Sequence, residues 1–243
     1  MNNINAIFKR EFKSYFATPI ALIFLVVFLV LTGFFTFKLG SFYEMGQASL
    51  ASFFAWHPWL YIFIVPAVSM RLWAEEKRSG TVELLFTLPV TLFEAMVAKF
   101  LAAWLFLGLA LLLTFPMVLT VAYLGQPDYG PILASYIGSF FMAGAFLAVG
   151  LFVSAMTNNQ VISFVVATFL CLFLVLLGYS PVQELLVKIS PDLMLMLNVL
   201  SVPYHFEAIQ RGVINVGNLV YFVSVILFFL VSGAVILDKS KAD

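Results

Sequence analysis

Long apolar stretches dominate this sequence and constrain its fold more than any other feature. Six of them approach or exceed the roughly 20 mostly apolar residues that a helix needs to cross a bilayer. They cover residues 20–37, 53–73, 100–124, 132–156, 161–179 and 219–237. The chain is 63% hydrophobic and 10% charged, whereas a soluble domain is nearly half apolar and about a quarter charged. The sequence therefore predicts an all-α integral membrane protein with six transmembrane helices in one domain, residues 1–243.

The distribution of Lys and Arg predicts the orientation of these spans, because cytoplasmic loops carry the excess of positive charge. With both termini in the cytoplasm, the inner side holds Lys9, Arg10, Lys13, Arg71, Lys77, Arg78, Lys99, Lys239 and Lys241. The outer side then holds only Lys38, Lys188 and Arg211. This bias favours an even number of spans with both termini cytoplasmic. Within the second stretch, Pro58 and Pro66 predict a kink.

Before the first span, residues 2–16 have the pattern of an amphipathic helix. Apolar side chains recur at three- and four-residue spacing, as in Ile4, Ile7, Phe8, Phe12 and Tyr15. The other face carries Lys9, Arg10 and Lys13. We expect a helix that lies in the inner membrane interface with its cations near anionic head groups. The alternative is a positively charged flank that only fixes the topology.

The segment 74–92, between the second and third spans, combines charges with a short apolar ridge. Glu75 and Glu76 begin a charged run that must leave the bilayer, and Ser79-Gly80 breaks the helix. Thr81 can cap a new helix there. The ridge consists of Leu84, Leu85, Phe86 and Leu88, and Pro89 ends it. Such a helix suits docking of a cytosolic partner; packing against its own bundle or the lipid surface is the alternative.

The segment 181–217 is long for a membrane loop. Its apolar run 193–202 is too short to cross a bilayer, so we expect an external or re-entrant helix before the last span. Long ordered loops are often functional. The candidates for an outer gate are His205, Phe206, Glu207 and Arg211. A packing cap without a gating role is equally compatible with the pattern.

The spans themselves carry few groups that could do chemistry. Their central portions lack Asp, Glu, Lys and Arg, which argues against proton-coupled transport and against a small-ion pathway. Arg71 and Lys99 lie at span edges, where they can snorkel to the inner interface. Polar groups such as Ser154 and Cys171 lack a neighbouring base in sequence, which disfavours an intramembrane enzyme. We predict no catalytic residues, and His57 and His205 alone do not indicate a metal site.

Two motifs resemble those of a known family. Residues 75–90 read Glu-Glu-Lys-Arg-Ser-Gly-Thr-Val-Glu-Leu-Leu-Phe-Thr-Leu-Pro-Val and resemble the EE-x-x-x-G-T-x-E-x-L-x-T-x-P signature in the first cytoplasmic loop of type 2 ABC exporter permeases. The stretch from His205-Phe206 to Gly212-Val213-Ile214 is similar to a pattern before the last span of their gliding-motility-associated and nitrous-oxide-accessory-like subgroup. The resemblance covers essentially the full chain.

The resemblance implies a permease subunit in the bacterial cytoplasmic membrane, paired with a second permease copy, identical or different. Two separate ATPase subunits would bind ATP and Mg²⁺, since this chain has no phosphate-binding G-x-x-x-x-G-K-[ST] motif and is expected to hold no cofactor. The implied coupling-loop residues are Glu75, Glu76, Gly80, Thr81, Glu83, Leu84, Thr87 and Pro89. The interfacial helix beside them would use Phe8, Lys9, Arg10, Phe12 and Lys13. An auxiliary subunit with a periplasmic domain is a further partner left open, and no nucleic-acid partner is expected.

The residues alone leave a second function open. A passive channel, or a membrane anchor for a larger complex, needs the same apolar spans and no coupling loop. An ATP-driven exporter and a passive channel differ in whether ATP and an ATPase partner change their behaviour.

Overall fold

The computed structural model describes residues 2–82 and 90–239, and these described ranges are helical with no β-strand. In chain order the helices are α1 (Asn2–Ala17), α2 (Pro19–Phe34), α3 (Ala51–Ala55), α4 (His57–Ser69), α5 (Arg71–Ser79), α6 (Leu92–Leu112), α7 (Pro116–Leu124), α8 (Tyr129–Met156), α9 (Gln160–Leu176), α10 (Ser180–Ile189), α11 (Pro191–Leu200), α12 (Val202–Gln210) and α13 (Val216–Lys239). A π-helical turn, Phe35–Leu39, extends α2. The all-α prediction is therefore confirmed for the described chain.

Several of these helices are long and apolar enough to cross a membrane. Within the described ranges, four such stretches occur: Ala21–Leu39, Leu92–Leu124, Tyr129–Met156 and Val216–Lys239. The number rises to five if α9 and α10, which are bent by 67° relative to each other, form one broken span. The chain thus has the helices of a membrane protein, whereas the predicted count of six spans stays a prediction.

The second predicted span, residues 53–73, is broken into α3, α4 and α5. Pro58 occupies the first turn of α4, where a missing N–H costs nothing. Pro66 lies inside α4 and cannot donate to the carbonyl one turn earlier, and the helix ends three residues later. With 13 residues, α4 is about 20 Å long, which is too short to span a bilayer by itself.

A serine of α8 supplies hydrogen bonds at the break between α4 and α5. The Ser154 hydroxyl donates to the Met70 carbonyl at 2.9 Å. Its oxygen accepts from the backbone N–H groups of Trp73 and Ala74 at 3.1 and 3.0 Å. These are donors in the first turn of α5, which a helix cannot satisfy internally. Ser154 therefore has a structural role, and it links the broken helix to α8.

Helix α8 is the centre of the fold. It packs against α4, α6, α9, α12 and α13, and nearly all side chains in its carboxyl-terminal half, residues 142–155, are buried. Small residues permit this: a Cβ atom at Gly144 would meet Trp104 Nε1 at 2.7 Å, and one at Gly150 would overlap Ser69. Small residues at these positions let the neighbouring helices approach α8 closely.

Two boundaries differ from the sequence expectation. The apolar pattern predicts the third span at 100–124, but the helix begins at Leu92 because Thr91 and Glu94 form a capping box. The segment between α5 and α6 is therefore shorter than residues 74–92 and covers residues 80–91. Residues 180–210 form α10, α11 and α12, where the sequence predicts one external or re-entrant helix within 181–217.

Candidate functional site

Four charged side chains form a cluster where α1, α5 and α6 meet; we call Arg10, Glu11, Glu76 and Lys99 the charge cluster. Lys99 Nζ lies 2.7 Å from Glu76 Oε1 and 3.5 Å from Glu11 Oε1. Arg10 Nη2 lies 2.7 Å from the same oxygen of Glu11 and 3.9 Å from Glu76 Oε1. One ammonium thus bridges two carboxylates from two different helices.

Lys99 is buried within the protein and paired with two carboxylates, whereas the sequence predicts a side chain that extends to the aqueous interface. Its side chain is 2% exposed, and its ammonium lies 5.0 Å from the centre of the Trp73 ring. The two carboxylates reach it from α1 and α5, so the charge is compensated inside the protein instead of in water. Arg71, the other residue expected to snorkel, lies 5.6 Å from the Tyr15 ring of α1.

Glu11 responds to this environment through its pKa. Burial opposes its negative charge, but the Lys99 ammonium and the Arg10 hydrogen bond outweigh burial and lower the pKa of Glu11 below its ordinary value of 4.5. Glu76 Oε2 is buried and has no hydrogen-bond partner among the described residues. All ion pairs of the cluster therefore use the same carboxylate oxygen, Oε1, of Glu11 and of Glu76.

The charge cluster ties together the two helices that flank residues 80–91. Glu76 lies in the last turn of α5, and Lys99 lies two turns into α6. Glu11 adds α1 to the same group, and α1 also packs on α6 by a parallel stack of Tyr15 on Phe106 with ring centres 4.7 Å apart. Any displacement of the segment between α5 and α6 would consequently act on all three helices.

Two contacts continue this link to α8. Lys77 Nζ donates to the Ala155 carbonyl at 3.0 Å, which satisfies a group in the last turn of α8. Ser154 beside it bonds the first turn of α5, as described above. Helix α5 is thus attached to the central helix at both of its ends.

The described part of the predicted coupling loop has the expected break. Helix α5 ends at Ser79, and Gly80 has a φ of 72°, a left-handed conformation that glycine adopts without strain. The Thr81 hydroxyl donates to the Glu76 carbonyl at 3.3 Å, and helical backbone resumes at Thr81. Glu75 is exposed to solvent. The other predicted contact residues, Glu83, Leu84, Thr87 and Pro89, lie outside the described residues.

The predicted interfacial helix forms over Asn2–Ala17, with the expected two faces. Phe8 and Phe12 are half-buried and stack with ring centres 5.8 Å apart. Lys9 and Lys13 are exposed. The sequence pattern did not single out Glu11, which points from this helix to Lys99; an acidic residue among lysines beside an apolar face was the available signal.

The four candidate gate residues separate into two pairs. His205 is buried, with Nδ1 2.9 Å from Asn218 Oδ1 and Nε2 2.8 Å from the Val199 carbonyl. Phe206 is also buried. Glu207 and Arg211 are exposed. His205 thus joins the end of α11 to the start of α13, and its hydrogen bonds account for it as a structural residue.

A second buried polar group was missed by sequence reasoning. His57 Nδ1 lies 2.9 Å from Ser139 Oγ, and the Tyr61 hydroxyl lies 2.8 Å from the same atom. The distance between His57 and Ser139 is that of a general base and a nucleophile. However, both His57 and Ser139 are 0% exposed, and His57 Nε2 has no described partner to orient the ring. The geometry therefore gives a substrate no access to the serine.

Among the described residues, no three His, Cys, Asp or Glu side chains are grouped closely enough to hold a metal ion.

Comparison with known proteins adds no assignment: no protein-family model matches the chain, and no curated protein is detectably similar to it. The function must therefore be argued from the residues.

Proposed function

We propose that this chain is the membrane-spanning permease subunit of a type 2 ABC exporter. In this proposal ATP hydrolysis on two separate ATPase subunits drives export, or mechanical work, across the bacterial cytoplasmic membrane. The chain crosses the membrane six times with both termini in the cytoplasm, and it pairs with a second permease copy. Residues 75–90 form the coupling loop on the cytoplasmic side.

The observation that carries the proposal is the charge cluster beside that loop. A loop that receives force needs stiff connections on both sides, because a flexible link would absorb the displacement. Glu76 and Lys99 connect the two flanking helices directly at 2.7 Å. Lys77 and Ser154 connect α5 to α8. Movement of the loop would thereby reach the centre of the bundle.

A passive channel or anchor gives no reason for this arrangement. Burying a lysine and two carboxylates costs solvation free energy, and a similar set of apolar residues often gives equal stability. In the exporter, however, the cluster couples three helices that must move together. The presence of the cluster therefore favours the driven permease over the passive alternative.

The proposal is tested by purifying the tagged full chain from its native membranes and measuring ATP hydrolysis by the complex. Gly80→Val places a β-branched side chain at a left-handed φ and should distort the loop. We expect ATPase subunits to co-purify with the wild-type chain. With the variant, the amount of co-purified ATPase should be at least tenfold lower, while membrane insertion stays equal. Gly33→Val is the matched control, since a Cβ atom at Gly33 meets nothing within 4 Å.

Two results would count against the exporter. One is a wild-type chain that purifies with no ATPase subunit and shows no response to ATP, as a passive channel would. The other is a Gly80→Val chain that retains full ATPase binding and activity, which would remove residues 75–90 from the interface.

A further inference from the structure

A polar cleft lies at the end of the molecule opposite the charge cluster, between α3–α4 and α12. Its volume is about 400 Å³. One wall is small and apolar, and consists of Ala51, Ala55 and Pro58. The facing wall carries all the charged and amide side chains of the cleft: Glu207, Gln210 and Arg211. Because the side chains of the apolar wall are short, a ligand can fit between it and the polar wall.

Glu207 and Arg211 present opposite charges on the same side of the cleft. They are four residues apart, a spacing at which helix side chains are neighbours and often pair. Here both are exposed, and neither forms an ion pair with another described residue. The cleft therefore offers one cation and one carboxylate to a ligand.

Gln210 adds a hydrogen-bond donor that has no acceptor among the described residues. Its Nε2 atom is buried and has no hydrogen-bond partner among the described residues. The residue also lines a second, smaller cavity of about 100 Å³, which shares Ala51 with the cleft and is lined by Ser135 and Asp128 as well. A buried donor is expected to have an acceptor, and an anionic oxygen placed between Gln210 and Arg211 would supply one.

The position of the cleft indicates where its ligand comes from. The candidate span Val216–Lys239 begins five residues after Arg211, and the intervening Val213 and Ile214 are exposed apolar residues. The polar wall thus lies beside the amino-terminal end of a candidate membrane-spanning helix, and the head groups of a bilayer crossed by that helix would lie near it.

We propose that this cleft binds a zwitterion made of a phosphate and an ammonium, the chemistry of a phosphatidylethanolamine head group. The phosphate accepts hydrogen bonds from Arg211 and Gln210, and the ammonium pairs with Glu207. The methylenes between them contact Ala51 and Ala55. This site goes beyond the exporter function and needs no ATPase partner, so either proposal can fail without the other.

The test is native mass spectrometry of the purified full chain with phosphatidylethanolamine and phosphatidylglycerol in equal amounts. Wild type should retain phosphatidylethanolamine at least tenfold over phosphatidylglycerol. Arg211→Gln should lose binding of both lipids at this site, because the phosphate partner is gone. Glu207→Gln should shift the preference to the anionic lipid, since it leaves the cation and removes the ammonium partner.

Glu184→Gln and Lys188→Gln make the same charge changes on α10, where both residues are exposed, and should bind as wild type does. Soluble glycerophosphoethanolamine distinguishes the sources: displacement of bound lipid shows that the head group suffices, and no displacement shows that the acyl chains are required. The proposal is overturned if wild type shows no lipid preference, or if the two cleft variants, folded as judged by thermal unfolding, match the α10 controls.

Discussion

At the scale of single residues, Lys99 stands out because its charged side chain is almost completely buried. A buried ammonium is unfavourable unless it is paired, and removing it leaves its partners uncompensated. Lys99→Met should therefore lower the free energy of unfolding by about 3 kcal/mol, because Glu76 and Glu11 lose their shared cation. Thermal unfolding of the purified chain in detergent measures this loss.

A second substitution separates loss of charge from loss of packing. Adding Glu76→Gln to Lys99→Met removes one of the stranded carboxylates and should recover part of the stability. Lys188→Met, at an exposed position of α10, should leave unfolding nearly unchanged. An unfolding temperature for Lys99→Met equal to that of wild type would show that the cluster contributes no stability.

At the scale of elements, the attachment of α1 should depend on pH through Glu11. The pKa of Glu11 is lowered by its partners, so its contribution is complete above the ordinary value of 4.5 and is lost as the pH falls through the lowered value. We expect α1 to separate from α5 and α6 under acid. Dyes at Ser14 and Arg78, both exposed, report the distance between α1 and α5.

Glu11→Gln provides the comparison for that experiment. The amide does not titrate, so the variant should hold α1 more weakly at neutral pH and change less on acidification. If wild type and the variant have the same distance profile from pH 7 to about pH 3, Glu11 does not hold the helix.

Helix packing around α8 gives a prediction of a different kind. A Cβ atom at Gly150 would overlap Ser69 of α4, and a packed core cannot absorb it without shifting. Gly150→Ala should therefore destabilise the chain by about 1–3 kcal/mol, measured by thermal unfolding. Gly33→Ala in α2 has open space around it and should not destabilise; equal unfolding temperatures would mean that α4 and α8 are not packed this closely.

At the scale of the whole molecule, local pattern predicted local structure well. The apolar periodicity of residues 2–16 gave α1, and Ser79-Gly80 gave the end of α5, because both depend on neighbours in sequence. Contacts between distant residues were not predictable in this way. Glu76 and Lys99 are 23 positions apart, and His57 and Ser139 are 82 apart. Only the packing of α1, α5 and α6, and of α4 on α8, brings these groups together.

The same limit applies to the spans. Hydropathy located the apolar stretches, and Pro58 and Pro66 predicted a kink in the second one. The sequence did not predict that Ser154 of α8 satisfies backbone groups at the break near Met70, because that contact is between distant residues. The count of six spans therefore depends on whether α4 and α5 cross the membrane together and whether α9 and α10 do.

The most direct test of the central claim is a photo-cross-linking residue placed at Thr81, which is exposed within the coupling loop. In native membranes it should give an adduct with an ATP-hydrolysing subunit, and ATP should change its yield. The same residue at Val213, exposed at the opposite end, should give no such adduct. An absence of ATPase adducts at Thr81, or equal adducts at both positions, would contradict the account.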